Sequence, residues 1–337
     1  HSKCNEKVEK MKKTALFISL ILCAVFALCG CSKDGPDLSN VPEMLADPMF
    51  ENGFNLTTQV SSDPTTVPLT YQNTVTGDAQ WRMSQWGVLN EAREGYDKTQ
   101  HDLTLGTETK EGDAYVYSTQ SGSKVVKVDP AKGEIELSVN SQKEYGNIPR
   151  MDNEDWPHLL IEQPVGDLIF LDQMKNCYME IEFELLKNEK SELNNSTAQF
   201  QWIFSLQNLN SNAGANVYKD YMWFNVTLFD DRYELAPGTG MIDGGKADAT
   251  GKYIYGPKGE YFLGDQRVEV GKRVHVQVDL LPEMIKAFGQ AQEAGALNGS
   301  NLSDMGLGSI NIGWEVPGMY DIGVKIYKLS LKAEMNV

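Results

Sequence analysis

In Tyr178-Met179-Glu180-Ile181-Glu182-Phe183-Glu184-Leu185, apolar residues occupy every second position and three Glu lie between them. Alternation with a period of two is the pattern of a β-strand that is buried on one face. Residues 199–206, 221–228 and 273–280 alternate in the same way. We therefore expect long strands, each with one face in a core and the other face toward solvent.

Shorter strands and turns surround these four stretches. Residues 112–140 predict a three-stranded meander, with turns at Gly122 and at Asp129-Pro130-Ala131-Lys132-Gly133. Around Pro317-Gly318 the alternation continues on both sides, which predicts a closing hairpin over 310–331. No strand–helix–strand alternation is present, so the expected fold class is all-β: a β-sandwich with one or two short helices.

One helix is predicted after the last of the four stretches. Pro282 suits the first turn of a helix, and Gly295 suits its end. The apolar stripe expected to pack on the sandwich consists of Met284, Ile285, Phe288 and Ala291.

The N-terminal region has the form of a secretory signal. Lys12 and Lys13 precede an apolar run, 14–28, which is shorter than the roughly 20 residues that span a bilayer comfortably. Leu28-Cys29-Gly30-Cys31 then resembles the lipobox of bacterial lipoproteins. The resemblance implies cleavage before Cys31 and lipidation of its side chain, so that the protein contacts the membrane through a lipid anchor. An ordinary signal peptide is the alternative.

The lipobox divides the sequence into three parts. Residues 1–30 are expected to be upstream residues and signal peptide, and 31–48 a lipid-anchored flexible tether, since this segment is polar and contains Gly and Pro. Residues 49–337 are expected to form a single β-sandwich domain. The start of the tether is similar to that of outer-membrane and surface-exposed lipoproteins of Bacteroidota.

Charge and cysteine content exclude several classes of function. The formal net charge is −17, which disfavours nucleic acid and anionic lipid headgroups as partners, and polyanionic glycans unless calcium bridges them. If Cys31 is lipidated, Cys177 is the one cysteine left after the signal peptide, so we expect a small buried side chain and neither a disulfide nor a Cys-rich zinc site. The loop 243–251 lacks the EF-hand spacing; no metal site or other cofactor is predicted, although calcium is possible there.

The long alternating strands, with aromatic residues on both faces, and the segment 312–321 resemble the concanavalin A-like jelly rolls of lectins and glucanases over roughly 49–337. Retaining glycosidases of the laminarinase and cellobiohydrolase kind carry Glu-x-Asp-x-Glu on one strand of such a sandwich. The resemblance implies Glu180 as nucleophile and Glu184 as acid/base, although Glu182 replaces the Asp. These positions lie about 13.6 Å apart on a flat strand, whereas a retaining pair needs about 5–5.5 Å. A solvated acidic face is the alternative.

A second candidate site is aromatic. Trp81-Arg82-Met83-Ser84-Gln85-Trp86 combines planar rings, which stack on the faces of sugars, with an Arg that can bind hydroxyls. Trp223 shares a strand face with Tyr221 and Asn225, which could extend the same platform. The alternative is that each Trp is a core residue.

These observations predict a cell-envelope lipoprotein of the outer membrane, facing the periplasm or the exterior. Its β-sandwich is expected to bind a glycan or another extracellular ligand through Trp81, Arg82, Trp86, Trp223, Tyr221 and Asn225, without catalysis. One alternative is a retaining glycoside hydrolase that acts through Glu180 and Glu184. The other is a non-catalytic surface or assembly protein.

Overall fold

The computed structural model describes residues 35–58, 66–87, 93, 95–151, 154–165, 168–244 and 249–336. The predicted signal peptide, the lipobox and Cys31 lie outside the described residues. Residues 41–337 form one compact unit and 1–40 another. In the second of these, the described residues 35–40 contain a turn in which Ser39 N donates to Asp37 Oδ1 (2.9 Å).

The described residues form sixteen strands that make two sheets. One sheet contains β1 Phe54–Thr57, β2 Thr66–Leu69, β3 Trp81–Trp86, β8 His158–Pro164, β10 Gln199–Asn208, β11 Tyr221–Asp230, β12 Thr239–Ile242, β13 Tyr253–Gly256 and β15 Met305–Glu315. The other contains β4 Thr107–Glu111, β5 Ala114–Ser118, β6 Lys124–Asp129, β7 Glu134–Asn140, β9 Met174–Lys190, β14 Arg273–Asp279 and β16 Tyr320–Met335.

The nine-stranded sheet has the order β12-β13-β11-β10-β15-β8-β3-β1-β2, and the seven-stranded sheet has the order β14-β9-β16-β7-β6-β5-β4. Between them lies one core, to which the alternating stretches contribute as predicted. Its largest members from these stretches include Phe183 on β9 and Phe200, Trp202 and Phe204 on β10, all fully buried. The predicted all-β jelly-roll sandwich is therefore confirmed.

The predicted meander is confirmed as β5, β6 and β7, and β4 extends it by one strand. The predicted closing hairpin is wrong, because β15 belongs to the nine-stranded sheet and β16 to the seven-stranded sheet. The linking residues bond to other parts of the chain: Val316 N donates to Pro157 O (2.9 Å) and Gly318 N to Thr197 O (2.7 Å). Pro317-Gly318 therefore carries the chain from one sheet to the other.

Three α-helices lie among the described residues: α1 Ser141–Tyr145, α2 Gly259–Leu263 and α3 Leu281–Glu293. The longest, α3, is the predicted helix, but its buried stripe is shifted by about one position. Ala287 is buried whereas Ile285 is 40% exposed, because α3 packs its other side against β9, β11 and β13. Short 3₁₀ helices cover Lys98–His101, Leu103–Leu105, Leu171–Gln173 and Leu302–Asp304.

Part of the predicted tether is bonded to the sandwich. Met44 N donates to Leu331 O (2.7 Å), and Glu43 Oε1 accepts from Leu331 N (2.9 Å). Ala46 exchanges two hydrogen bonds with the side chain of Gln163, at 2.8 and 3.1 Å. Because Leu331 is on β16 and Gln163 is on β8, residues 43–46 connect the two sheets.

Cys177 on β9 is fully buried, and burial raises the pKa of its thiol to about 12. This is the small, unreactive core residue that the sequence predicts. Among the described helices, none combines the length and the apolar character needed to cross a bilayer.

Candidate functional site

A groove of about 720 Å³ crosses the outer face of the nine-stranded sheet. Strands β3, β8, β15, β10 and β11 form its floor, and each contributes side chains from its outward positions. These are Arg82 and Trp86 from β3, His158, Leu160 and Glu162 from β8, Asn311 and Glu315 from β15, Ile203 from β10, and Trp223 and Asn225 from β11. Asp155, Trp156, Asp243, Ala249, Thr250 and Ile254 complete the lining.

Strand register places five of these side chains in one row. Arg82 is opposite Glu162, Glu162 is opposite Asn311, Asn311 is opposite Ile203, and Ile203 is opposite Asn225. Four strand spacings separate the first from the last, which is about 19 Å. The floor therefore offers a line of hydrogen-bonding groups, interrupted by one apolar residue, across five strands.

Aromatic side chains stand at one end of the groove. Trp86 is 43% exposed and meets the ring of His158 edge-on, with ring centroids 5.2 Å apart. Trp156 also stacks on the ring of His158, with ring centroids 5.4 Å apart, and the Arg150 guanidinium lies 4.7 Å from the centre of the Trp156 ring. Contact with one another limits the motion of these rings, so this end presents a preformed aromatic surface.

The opposite end of the groove carries Trp223. The ring of Tyr221 contacts it edge-on at 4.9 Å, and Lys252 Nζ lies 4.8 Å from the centre of the Tyr221 ring. Tyr221 therefore supports Trp223 from the side. The two tryptophans lie on opposite sides of the row, Trp86 about 14 Å along β3 from Arg82 and Trp223 about 7 Å along β11 from Asn225.

A buried ion pair fixes the segment that carries Asp155 and Trp156. Arg93 and Glu154 are both buried, and the pair is bidentate: Arg93 Nε donates to Glu154 Oε1 and Arg93 Nη2 donates to Glu154 Oε2. Arg93 also donates to Tyr145 O (2.6 Å) and Ile148 O (2.7 Å). Hydrogen bonding to Glu154 raises the pKa of Arg93, which stays charged. Removal of either partner would leave a buried charge uncompensated, so the pair holds this end of the groove in place.

The groove has an excess of negative charge. Among its described lining residues, Arg82 is the one Lys or Arg, whereas the carboxylates are Asp155, Glu162, Asp243 and Glu315. Glu162 accepts from Arg82 and from Ser84 Oγ (2.6 Å), and Glu315 Oε1 lies 3.8 Å from His158 Nε2. A polyanionic ligand would be repelled here.

Two carboxylates, those of Glu162 and Glu315, lie on the sheet floor. Glu162 is opposite Asn311, and Glu315 is four residues further along β15. Their Cα atoms are therefore about 14 Å apart by strand geometry. Carboxyl groups of hydrolytic pairs lie about 5–5.5 Å or about 6.5–9.5 Å apart, so these two reach that range only if their side chains lean toward each other.

Four of the predicted ligand-binding residues line this groove: Arg82, Trp86, Trp223 and Asn225. Tyr221 lies beside it. Trp81 does not, because it is fully buried in the core, where its Nε1 donates to Asp47 O (2.8 Å). Residues five apart on a strand face opposite sides, so Trp81 and Trp86 could not have lined one surface.

The structure places Glu180 and Glu184 on the outer face of the other sheet, away from the groove. Glu180 Oε1 pairs with His275 Nε2 (2.9 Å) and Lys328 Nζ (2.7 Å), and Glu184 accepts from the Tyr327 hydroxyl (2.8 Å). Burial alone would raise the pKa of Glu180, but the hydrogen bonds from Lys328 and His275 outweigh it and lower the pKa. Each carboxylate is held by neighbours on adjacent strands, and no Trp flanks them; that the two act as a catalytic pair stays a prediction.

No cluster of three or more metal-ligating side chains occurs among the described residues. In the loop considered for calcium, Asp243 Oδ2 accepts from Thr250 N (2.8 Å) and Thr250 Oγ1 (2.7 Å). These bonds close the loop on itself. Residues 245–248 of that loop lie outside the described part of the chain, so calcium there stays a prediction.

Several groove residues were not predicted from the sequence. Glu162, Asn311 and Glu315 lie at outward positions of β8 and β15, which no motif distinguishes. Trp156-Pro157-His158, which ends on the first residue of β8, is the one usable signal, because binding residues are concentrated in loops beside strand ends.

No protein-family model matches the chain, and no curated protein matches it. Solved structures with a similar fold include endoglucanase cel12A from Rhodothermus marinus (9% identity, TM-score 0.37), covering 68% of this chain and 97% of that one. A native family 12 xyloglucanase from Bacillus licheniformis has 10% identity, TM-score 0.37 and the same coverages. The xyloglucanase domain of NopAA from Sinorhizobium fredii, in complex with cellobiose, has 9% identity, TM-score 0.35, and covers 68% and 96%. Likeness at this level transfers no activity.

Proposed function

We propose that this protein is a cell-envelope lipoprotein whose β-sandwich binds a neutral glycan in the groove between Trp86 and Trp223 without cleaving it. The observation that carries the proposal is the groove itself, in which aromatic rings flank a row of hydrogen-bonding side chains. Sugars present apolar ring faces and polar edges, and therefore require both kinds of surface at once.

Charge narrows the class of glycan. The lining carboxylates outnumber the single guanidinium of Arg82, so sulfated and uronic-acid polymers are disfavoured. Carboxylates and amides accept hydrogen bonds from sugar hydroxyls without needing a charge on the ligand. A neutral oligosaccharide is the ligand that best fits these groups.

Glycoside hydrolysis in the same groove is the second candidate function, favoured by the four carboxylates that line it. The Cα atoms of Glu162 and Glu315 are about 14 Å apart by strand geometry, which disfavours a hydrolytic pair on the floor. Hydrolysis would have to involve Asp155 or Asp243 from the loops. We place binding first for this reason.

The test is calorimetric titration of the full-length chain with cellohexaose, mannohexaose, xylohexaose and polygalacturonate. We expect binding to at least one neutral hexasaccharide and weaker binding to polygalacturonate. The same mixtures, examined by chromatography after incubation, should contain no shorter products. Shorter products would mean that the protein hydrolyses the glycan instead of only binding it. Absence of binding to every neutral probe would favour a surface or assembly role.

The envelope part of the proposal rests on the lipobox in the sequence. Expression in a bacterium fed radiolabelled palmitate should label the wild-type chain and leave Cys31→Ala unlabelled. A wild-type chain that is exported without label would instead support an ordinary signal peptide. Fractionation of the labelled cells would then test the outer membrane as its location.

A further inference from the structure

Two amide oxygens in the groove floor are buried without a hydrogen-bond partner among the described residues: Asn225 Oδ1 and Asn311 Oδ1. Both side chains line the groove. A buried carbonyl oxygen that no donor reaches is destabilising, and such groups are uncommon in folded proteins. Two such acceptors on one floor have no donor among the described residues; a ligand that displaces the groups covering them would supply one.

The two amides lie on either side of Ile203. Register places Asn311 directly opposite Ile203 on one strand and Asn225 directly opposite it on the other. The amides are therefore two strand spacings apart, about 10 Å. This leaves room for one sugar ring above Ile203 and a hydrogen bond at each edge of the ring. Ile203 is 7% exposed and offers a small apolar contact for the ring face.

An amide oxygen only accepts hydrogen bonds, so it distinguishes a free hydroxyl from an ether or a carboxylate. We propose that Asn311 and Asn225 determine the specificity of the groove by accepting hydrogen bonds from hydroxyls on opposite edges of a sugar ring that rests on Ile203. This inference rests on the proposed function and specifies its ligand class: an uncharged oligosaccharide whose central ring has free hydroxyls on both edges.

Asn188 on β9 provides a matched control. Its Oδ1 is also buried without a partner among the described residues, but it lies outside the groove, in the seven-stranded sheet. Its Nδ2 donates to Asp231 Oδ1 (2.8 Å). Removal of this side chain therefore costs a structural hydrogen bond and should leave ligand binding unchanged.

The experiment compares Asn311→Ala, Asn225→Ala and Asn188→Ala in the full-length chain. Calorimetry with cellohexaose, mannohexaose and xylohexaose gives Kd, and thermal melting without ligand gives Tm. We expect each groove variant to weaken binding by about threefold to tenfold, the value of one neutral hydrogen bond. The Tm of Asn311→Ala should be unchanged or higher, because the lost oxygen has no partner among the described residues. Asn225→Ala also loses the long bond from Asn225 Nδ2 to Gln201 Oε1 (3.5 Å) and should melt slightly lower. Asn188→Ala should bind as the wild type does and melt lower.

A fourth variant, Asn225→Asp, keeps an acceptor oxygen in place and should bind within about threefold of the wild type. The inference is overturned if Asn311→Ala and Asn225→Ala bind as the wild type does. It is also overturned if both variants lose affinity and Tm in parallel. If Asn311→Ala and Asn225→Ala bind as the wild type does while Trp86→Ala and Trp223→Ala lose binding, only this inference fails. If the wild type binds none of the three hexasaccharides, the proposed function fails and the inference with it.

Discussion

The two outward faces of the sandwich are both polar and both rich in Glu, yet their side chains are arranged differently. On the seven-stranded sheet, acidic residues have cationic neighbours on the next strand. Glu180 pairs with Lys328, Glu182 with Arg273 (3.1 Å), and Glu134 with Lys325 (2.7 Å). These carboxylates are therefore paired within the protein.

The nine-stranded sheet presents the opposite arrangement. Its outward row has one ion pair, Arg82 with Glu162, followed by amides and an apolar residue rather than by cations. Tryptophans stand on either side of this row instead of lysines. The comparison teaches that a strand rich in Glu does not identify a site. The neighbours that register places beside each carboxylate decide whether the face is satisfied internally or open to a ligand.

The largest expected effect separates the two faces by glycan affinity. Trp86→Ala and Trp223→Ala should each weaken binding of the best neutral hexasaccharide by about thirtyfold, or about 2 kcal/mol, as for a central aromatic contact. Tyr327→Ala is the control, because this aromatic residue lies on the seven-stranded sheet, away from the groove. Arg273 Cζ lies 3.6 Å from the centre of its ring. Calorimetry measures all three. Equal losses in the three variants would mean that the groove is not the binding site.

A smaller effect is expected in stability for Glu180→Gln. The carboxylate has two partners, His275 and Lys328, which are themselves about half exposed. We expect the free energy of unfolding at neutral pH to fall by about 1 kcal/mol in urea titration. Glycan binding should not change. A variant of normal stability that loses binding or hydrolysis would restore Glu180 as a functional residue.

The smallest effect is the pH dependence of that stability difference. The pKa of Glu180 is lowered from its ordinary 4.5 in the folded chain, because its partners outweigh burial. A carboxyl with a lowered folded pKa stabilises the fold above its unfolded pKa, and this contribution is lost as the pH falls through the folded pKa. Wild type and Glu180→Gln should therefore differ at neutral pH and converge in acid. A difference that grows in acid would contradict the assigned partners.

The alternation in the sequence was sufficient to predict strands and core. Met179, Ile181 and Phe183 on β9, like Met222 and Phe224 on β11, are buried as that pattern requires. It did not predict which strands join which sheet, because the alternation shows which face of a strand is buried but not which strands pair with it. This is why β15 and β16 were expected to form a hairpin.

The same limit applies to the site. Trp86 and Trp223 were found because planar rings stack on sugar faces, and Asn225 was found because it shares a strand face with Trp223. Glu162 and Asn311 were not found, because their place in the groove depends on their being opposite one another on β8 and β15, which the sequence does not reveal. Trp81 was assigned wrongly, although counting along β3 places it on the face opposite Trp86.

The position of β16 has a consequence for how the chain reaches this structure. It lies between β9 and β7, pairing Ile322 with Val139 and Val324 with Leu185, residues far apart in sequence. Such non-local pairings carry a large loop-closure entropy before any contact stabilises them, and folds dominated by them assemble slowly. Until β16 docks, β9 and β7 are two unpaired edges open to association with other chains. Aggregation during refolding should therefore decline with the same time course as β16 insertion.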